Sequence, residues 1–127
     1  MRLSAAQHEE LITHARESAP NECCGIVTLR DGAVEEVVRG ENKRNSPYGY
    51  ELDDATLMRL AFLEDEGLAP GVYHSHPRSP AEPSQTDINL ATYDNALYLI
   101  VSLENEPEVR AWRIADGRVE EEDVVVE

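Results

Sequence analysis

Tyr73-His74-Ser75-His76-Pro77, followed after a further six residues by Ser84-Gln85-Thr86-Asp87, organises the reading of this chain. As a pattern it is H-x-H, seven residues, S, two residues, D. Side chains at i and i+2 of a strand point to the same face. His74 and His76 therefore project together, while Ser75 points the other way. Pro77 stops the strand there and leaves both imidazoles at its open end. The segment 77–83 carries Pro77, Pro80 and Pro83, which makes it a stiff loop with few backbone donors. Ser84 then begins a short helix with Asp87 in its first turn, where the helix dipole favours a carboxylate. A carboxylate that faces a metal is expected to aim outward from the helix rather than cap it. Two imidazoles and one carboxylate, with a fourth position left to water, form the donor set of a catalytic zinc and not of a structural one. Surface histidines and an ordinary S-x-x-D cap explain each half alone, but not their coincidence at this spacing.

Around this centre the periodicity alternates between helix and strand. Ser4 to Ala19 reads as an amphipathic helix: Ser4 and Gln7 form an S-x-x-Q capping box, Leu11, Ile12 and Ala15 share a face, and Pro20 marks the end. Cys24–Arg30 and Ala33–Arg39 read as strands joined by the Asp31-Gly32 turn signal. Gly40 to Tyr50 is a polar loop. Asp53 or Asp54 caps a second helix through Glu66, with Leu57, Leu60, Ala61 and Leu63 as its stripe and Gly67 closing it. Gly71 to His76 is the strand that carries the histidines. Ala96 to Leu103 is a near-continuous apolar run, expected to be central and buried. Glu108 to Ile114 and Arg118 to Val126 form a last hairpin around Asp116-Gly117, and Glu120-Glu121-Glu122-Asp123 reads as a solvated edge. The expected fold class is α+β: a mixed, partly barrel-like sheet of about six strands flanked by three helices. The 127 residues are expected to form a single domain, 1–127.

Composition narrows the function classes. Twenty-six acidic residues face eleven basic ones, and Lys43 is the single lysine. Adaptation to molar salt, where the Debye length falls to about 3 Å, explains this balance better than disorder or a basic partner. No Lys/Arg cluster offers a nucleic-acid surface, and no apolar run suits a bilayer. The chain is read as cytoplasmic, with no apolar signal segment after Met1. Cys23 and Cys24 are adjacent and expected to be free thiols, Cys24 packed and Cys23 exposed. A nucleobase deaminase would need C-x-x-C, which is absent. Trp112 and Phe62 are expected in the core; His8 and His14 are expected on the surface.

A hydrolytic zinc site also needs a proton acceptor. Among many acids Glu22 stands apart, because it sits between Pro20 and the apolar strand beginning at Cys24 and not on a solvated helix face. Taken together, Pro20-Asn21-Glu22-Cys23-Cys24-Gly25, His74-Ser75-His76-Pro77 and Ser84-Gln85-Thr86-Asp87 resemble the JAMM (MPN-plus) zinc metalloproteases. Asn42, Pro47 and Tyr50 resemble that family's positions before its second helix.

The resemblance implies a JAMM/MPN, cytidine-deaminase-like fold and assigns roles by position. His74, His76 and Asp87 would bind one Zn²⁺. Glu22 would be the general acid/base, and the Ser84 hydroxyl would steady the oxyanion. The substrates implied are peptide or isopeptide bonds after the C-terminal Gly-Gly of ubiquitin-like modifiers, whose tail would pair with a sheet edge. Arg78, Tyr48 and Tyr50 are weaker substrate-contact candidates. The short chain and acidic composition resemble the small desampylases of halophilic archaea, which act on ubiquitin-like SAMP conjugates. A processing peptidase for a sulfur-carrier precursor would use the same residues, and an inactive MPN scaffold would lack the ligands. No nucleic-acid or membrane partner is implied, and the expected state is a monomer or weak homodimer.

Overall fold

Eight strands form one mixed sheet in the order β7-β6-β5-β4-β2-β3-β1-β8. The computed structural model describes residues 1–93 and 95–127. In chain order the elements are β1 (Arg2–Leu3), α1 (Ala5–Ser18), β2 (Cys24–Arg30), β3 (Ala33–Arg39), α2 (Asp54–Ala61), β4 (Ala69–His76), α3 (Gln85–Leu90), β5 (Leu97–Ser102), β6 (Glu108–Ala115), β7 (Arg118–Glu122) and β8 (Val125–Val126). β5 is buried along its whole length and pairs parallel to β4, as its unbroken apolar sequence requires of a strand covered on both faces. The two Asp-Gly turns join β2 to β3 and β6 to β7. Asp31 and Asp116 both lie at φ 52°, and Gly32 and Gly117 at 79° and 75°, the left-handed pair of a tight hairpin.

Strand alternation splits the core in two. Val27, Leu29, Tyr73, Leu97, Leu99 and Val101 face α1, meeting Leu11, Ile12 and Ala15. Cys24, Ile26, Val72, Tyr98, Ile100 and Trp112 face the other way, toward Leu57 and Leu60 of α2 and Ile88 of α3. His74 and His76 continue the Val72 side, so they open toward α2 and α3.

The expected six strands become eight because both chain ends pair. β1 lies parallel to β3 and β8, and the Met1 ammonium donates to the Asp123 carbonyl at 2.8 Å. The final segment is thus not one strand. β7 and β8 stand at opposite ends of the strand order, yet only Asp123 and Val124 separate them, a reach of about 11 Å at most. The sheet therefore curls until its ends are neighbours, which is the half-barrel expected from the sequence.

α2 also differs. It ends at Ala61, and Glu64–Glu66 forms a separate 3-10 turn closed by Gly67 at φ 74°. Three carboxylates at a helix C-terminus oppose the dipole. Phe62 is 55% exposed and not in the core, because Leu57, Leu60 and Leu63 take the side facing the sheet. Ala61 is exposed as well.

Candidate active site

The site is assembled where β4 ends and α3 begins. Cys24 pairs with His74 across β2 and β4, so the chain preceding β2 runs back past Ser75 and His76. Cys23 and Ser75 lock this junction: Cys23 N–H donates to Ser75 Oγ at 2.8 Å, and Ser75 N–H donates to the Cys23 carbonyl at 3.1 Å. By alternation Cys23 and Ser75 face α1, while Cys24, His74 and His76 face the side of α2 and α3. This register buries Cys23 to 2% exposure and overturns its expected place on the surface. Burial raises the thiols of Cys23 and Cys24 to about 11 and about 12, so both are poor nucleophiles.

α3 supplies the carboxylate. Ser84 caps it, with Asp87 N–H donating to Ser84 Oγ at 3.1 Å and Ser84 N–H donating to Asp87 Oδ2 at 3.0 Å. The expectation that a ligand-facing Asp87 would not cap the helix is wrong. The same Oδ2 lies 3.2 Å from His74 Nε2 and 3.0 Å from His76 Nε2. The two Nε2 atoms are 3.2 Å apart.

These three atoms form a near-equilateral triangle. Ligands of a tetrahedral zinc, at about 2.0–2.1 Å from the ion, stand about 3.3 Å from one another. His76 Nδ1 lies 2.7 Å from the Pro80 carbonyl, which only accepts, so Nδ1 carries a hydrogen and the neutral ring presents a bare Nε2. Two imidazole nitrogens and a carboxylate oxygen meeting at this distance suit a cation between them. The donor set therefore fits a divalent metal ion such as zinc.

Electrostatics follow the same geometry. Burial opposes ionisation of Asp87, but its contacts with His74, His76 and Ser84 N–H hold it well below the usual carboxylate range. Burial lowers His74; it also pulls on His76, whose contacts with Asp87 and the Pro80 carbonyl win and raise it. The Tyr50 ring stacks on His74 with centroids 4.5 Å apart and planes at 18°. Glu22 is 6% exposed, its Oε1 has no hydrogen-bond partner among the described residues, and burial raises its carboxyl to about 7. That value suits a group that takes up and gives back a proton near neutrality.

A cleft of about 570 Å³ runs from Asp87 between α2 and α3, lined among others by Arg44, Tyr50, Leu57, Thr86, Leu90 and Tyr93. Of the three weaker candidates, Tyr50 lines it. Tyr48 is 84% exposed and is not among its lining residues. Arg78 is exposed beside Pro77 and has no ion pair among the described residues.

Asn42, which in sequence resembles only a family position before the second helix, ties the site together. Its Nδ2 donates to the carbonyls of Glu22 and Gly49, both at 3.0 Å, and its Oδ1 accepts Arg44 N–H and Glu51 N–H at the same distance. One side chain thus ties the loop bearing Tyr50 to the backbone of Glu22. A loop asparagine signals only a turn in sequence. His14 departs from its expected place on the surface: it is 8% exposed, and its Nδ1 lies 2.6 Å from Tyr73 Oη on the α1 side.

The family model for prokaryotic homologs of the JAB domain matches residues 4–115. The chain belongs to this JAB (JAMM-type) family. The CysO-cysteine peptidase of Mycobacterium tuberculosis is 38% identical over 122 residues, covering 91% of this chain and 84% of that protein. A desampylase of Haloferax volcanii is 34% identical over 119 residues, covering 87% and 86%. The solution structure of a protein from Desulfitobacterium hafniense matches with a TM-score of 0.86 at 34% identity, covering 99% of this chain and 92% of that one. Within this JAB chain the residues brought together are His74, His76 and Asp87, with Ser84 at the cap and Glu22 on the adjoining strand entry.

Proposed function

We propose that this JAB protein is a zinc-dependent peptidase that hydrolyses the bond after the C-terminal Gly-Gly of ubiquitin-like modifiers, releasing SAMP-type modifiers from lysines. The observation that carries this reading is the 3.0–3.2 Å triangle of two imidazole nitrogens and one carboxylate oxygen. One Zn²⁺ held by His74, His76 and Asp87 would supply Lewis acidity and bring a water's pKa toward about 7. Glu22 takes the proton from the attacking water and returns it to the leaving nitrogen. The Ser84 hydroxyl oxygen already accepts Asp87 N–H at 3.1 Å, so its own O–H is free to donate to the developing oxyanion. Tyr50 fixes the His74 ring by stacking. The tail of the modifier pairs with a sheet edge beside the site, and Arg78 meets an acidic surface beyond it.

A second reading has its own support. The 38% identity to a CysO-cysteine peptidase favours a processing peptidase that trims a linear sulfur-carrier precursor. The residues and roles are the same, and only the leaving group differs.

Both cysteines are free, which suits a reducing cytoplasm. The excess of 26 acidic over 11 basic residues suits concentrated salt, in which we take the protein to act as a monomer or weak homodimer of a single domain. Incubating the zinc-loaded protein in molar salt with a lysine-linked Gly-Gly conjugate, beside Glu22→Ala, tests the reading by intact mass. Release of the whole modifier by the wild type alone is the expected result. No cleavage with zinc bound would sink the deconjugase reading and leave the linear one to be assayed.

A further inference from the structure

Arg44 stands out when the cations are followed one by one. The chain carries 26 carboxylate side chains against 11 basic ones, so a guanidinium without a carboxylate partner is the exception. Among the described residues all but three of the eleven lie in an ion pair, the three being Arg44, Arg78 and Arg118. Arg118 is on the outermost strand β7. Arg44, by contrast, lines the cleft that ends at Asp87.

Its position is built. Arg44 N–H is held by Asn42 Oδ1 at 3.0 Å, and the guanidinium lies over Gly49, where a Cβ would come within 2.9 Å of Nη1 and 3.2 Å of Cζ. A bare glycine there gives the group its seat. The Asn42 side chain that holds the Arg44 backbone also holds the Glu22 carbonyl at 3.0 Å, so Arg44 is tied to the residue proposed to protonate the leaving nitrogen. Arg44 is therefore on the leaving-group side of the reaction, exposed, charged and without an ion pair among the described residues. A planar fork of N–H donors in that setting matches a carboxylate.

We propose that Arg44 is a specificity residue that binds a substrate carboxylate on the leaving side of the scissile bond. The inference rests on the peptidase reading above. Two sources supply such a group. An amino acid released from an α-peptide bond has its own carboxylate two bonds from the leaving nitrogen. A longer leaving segment presents an acidic side chain instead. An isopeptide-linked lysine offers neither at that distance, so Arg44 biases the site toward linear substrates ending just past Gly-Gly.

The test uses three peptides with one Gly-Gly tail: a single leaving residue as the free acid, the same residue as its amide, and a leaving glutamate as its amide. Each is assayed with wild type, Arg44→Gln and Arg44→Lys. Loss of a charge-assisted pair raises KM about 10- to 100-fold. The expected result is that Arg44→Gln shows this rise on the free acid and little change on the plain amide, with Arg44→Lys between. A matching rise on the glutamate amide alone assigns the side-chain source. If Arg44→Gln changes all three equally, through kcat and the pH profile, Arg44 acts only on Glu22 and the proposal is overturned. No change on any substrate overturns it too. Failure of the wild type on all three removes the peptidase reading itself, and the inference with it.

Discussion

Two helices in this protein begin with the same device. At α1, Gln7 N–H donates to Ser4 Oγ at 3.0 Å and Ser4 N–H donates to Gln7 Oε1 at 2.9 Å. At α3 the corresponding distances are 3.1 and 3.0 Å, with Asp87 in place of Gln7. The hydrogen bonds match; the spare valences do not. Gln7 turns its amide nitrogen to the carbonyls of Val34 and Glu35 and so fastens α1 to β3. Asp87 turns its capping oxygen to His74 and His76, at 3.2 and 3.0 Å. The α3 helix has six residues, against fourteen in α1, and is held by what it faces rather than by its own length. A capping box is thus a way to hold a carboxylate in place, and at α3 that carboxylate is turned toward two histidines.

The sharpest way to break the comparison is Asp87→Asn beside Gln7→Glu. The asparagine keeps a cap acceptor but not the charge. It is expected to lose bound zinc, read by elemental analysis, and peptidase activity to background. Gln7→Glu keeps the box at α1, and its zinc content and rate are expected to be unchanged. Retained zinc and activity in Asp87→Asn would mean that the triangle is not the metal site. Glu22→Gln is next: zinc content stays, and kcat falls about 10²- to 10⁴-fold if Glu22 is the proton carrier.

The same Glu22→Gln variant has a stability signature that runs opposite to its activity. Burial raises the carboxyl in the fold from 4.5 to about 7, so the folded chain keeps a proton that the unfolded chain has released. Stability from this group is fully present below about pH 4.5 and lost as pH rises through about 7. In metal-free protein, Glu22→Gln is expected to match wild type at pH 4 and exceed it at pH 8 by on the order of 2 kcal/mol. Denaturant curves at the two pH values check it; equal stability at pH 8 would show that Glu22 is not buried as a neutral acid.

Legibility in the sequence followed the range of the interactions. The hairpin strands Cys24–Arg30 and Ala33–Arg39, the Ser4 and Ser84 caps and the Asp-Gly turns were readable because each is fixed by neighbours along the chain. The meeting of His74, His76 and Asp87 was readable because a strand alternation and a stiff loop leave few ways to place them. The edge pairing of β1 with β8 was not, since two-residue strands carry no periodicity and the contact joins opposite chain ends. Burial of Cys23 and His14 escaped for a related reason. It depends on Ser75 and Tyr73 of β4 lying opposite them, a relation between distant segments. The Gly25 position lets the Tyr73 ring lie close on β2, where a Cβ would come within 2.5 Å of the ring, and in sequence it is only one more glycine.

The smallest effect separates the two caps most cleanly. Removing the cap hydroxyl by Ser4→Ala or Ser84→Ala is expected to cost about 1 kcal/mol of stability in each case, because both lose one N–H···O bond at a helix N-terminus. Denaturant midpoints of the metal-free proteins would read this. The rates should then part. Ser84→Ala is expected to lose a further 10²- to 10³-fold in kcat if its O–H meets the oxyanion, while Ser4→Ala keeps the wild-type rate. The hydroxyl at α1 points to a helix end and nothing else; the one at α3 borders a carboxylate 3.0 Å from His76. Equal stability losses with unequal rates would show that one local motif can be structural at one place and chemical at another. Equal rates would reduce Ser84 to a cap and leave the oxyanion to other donors.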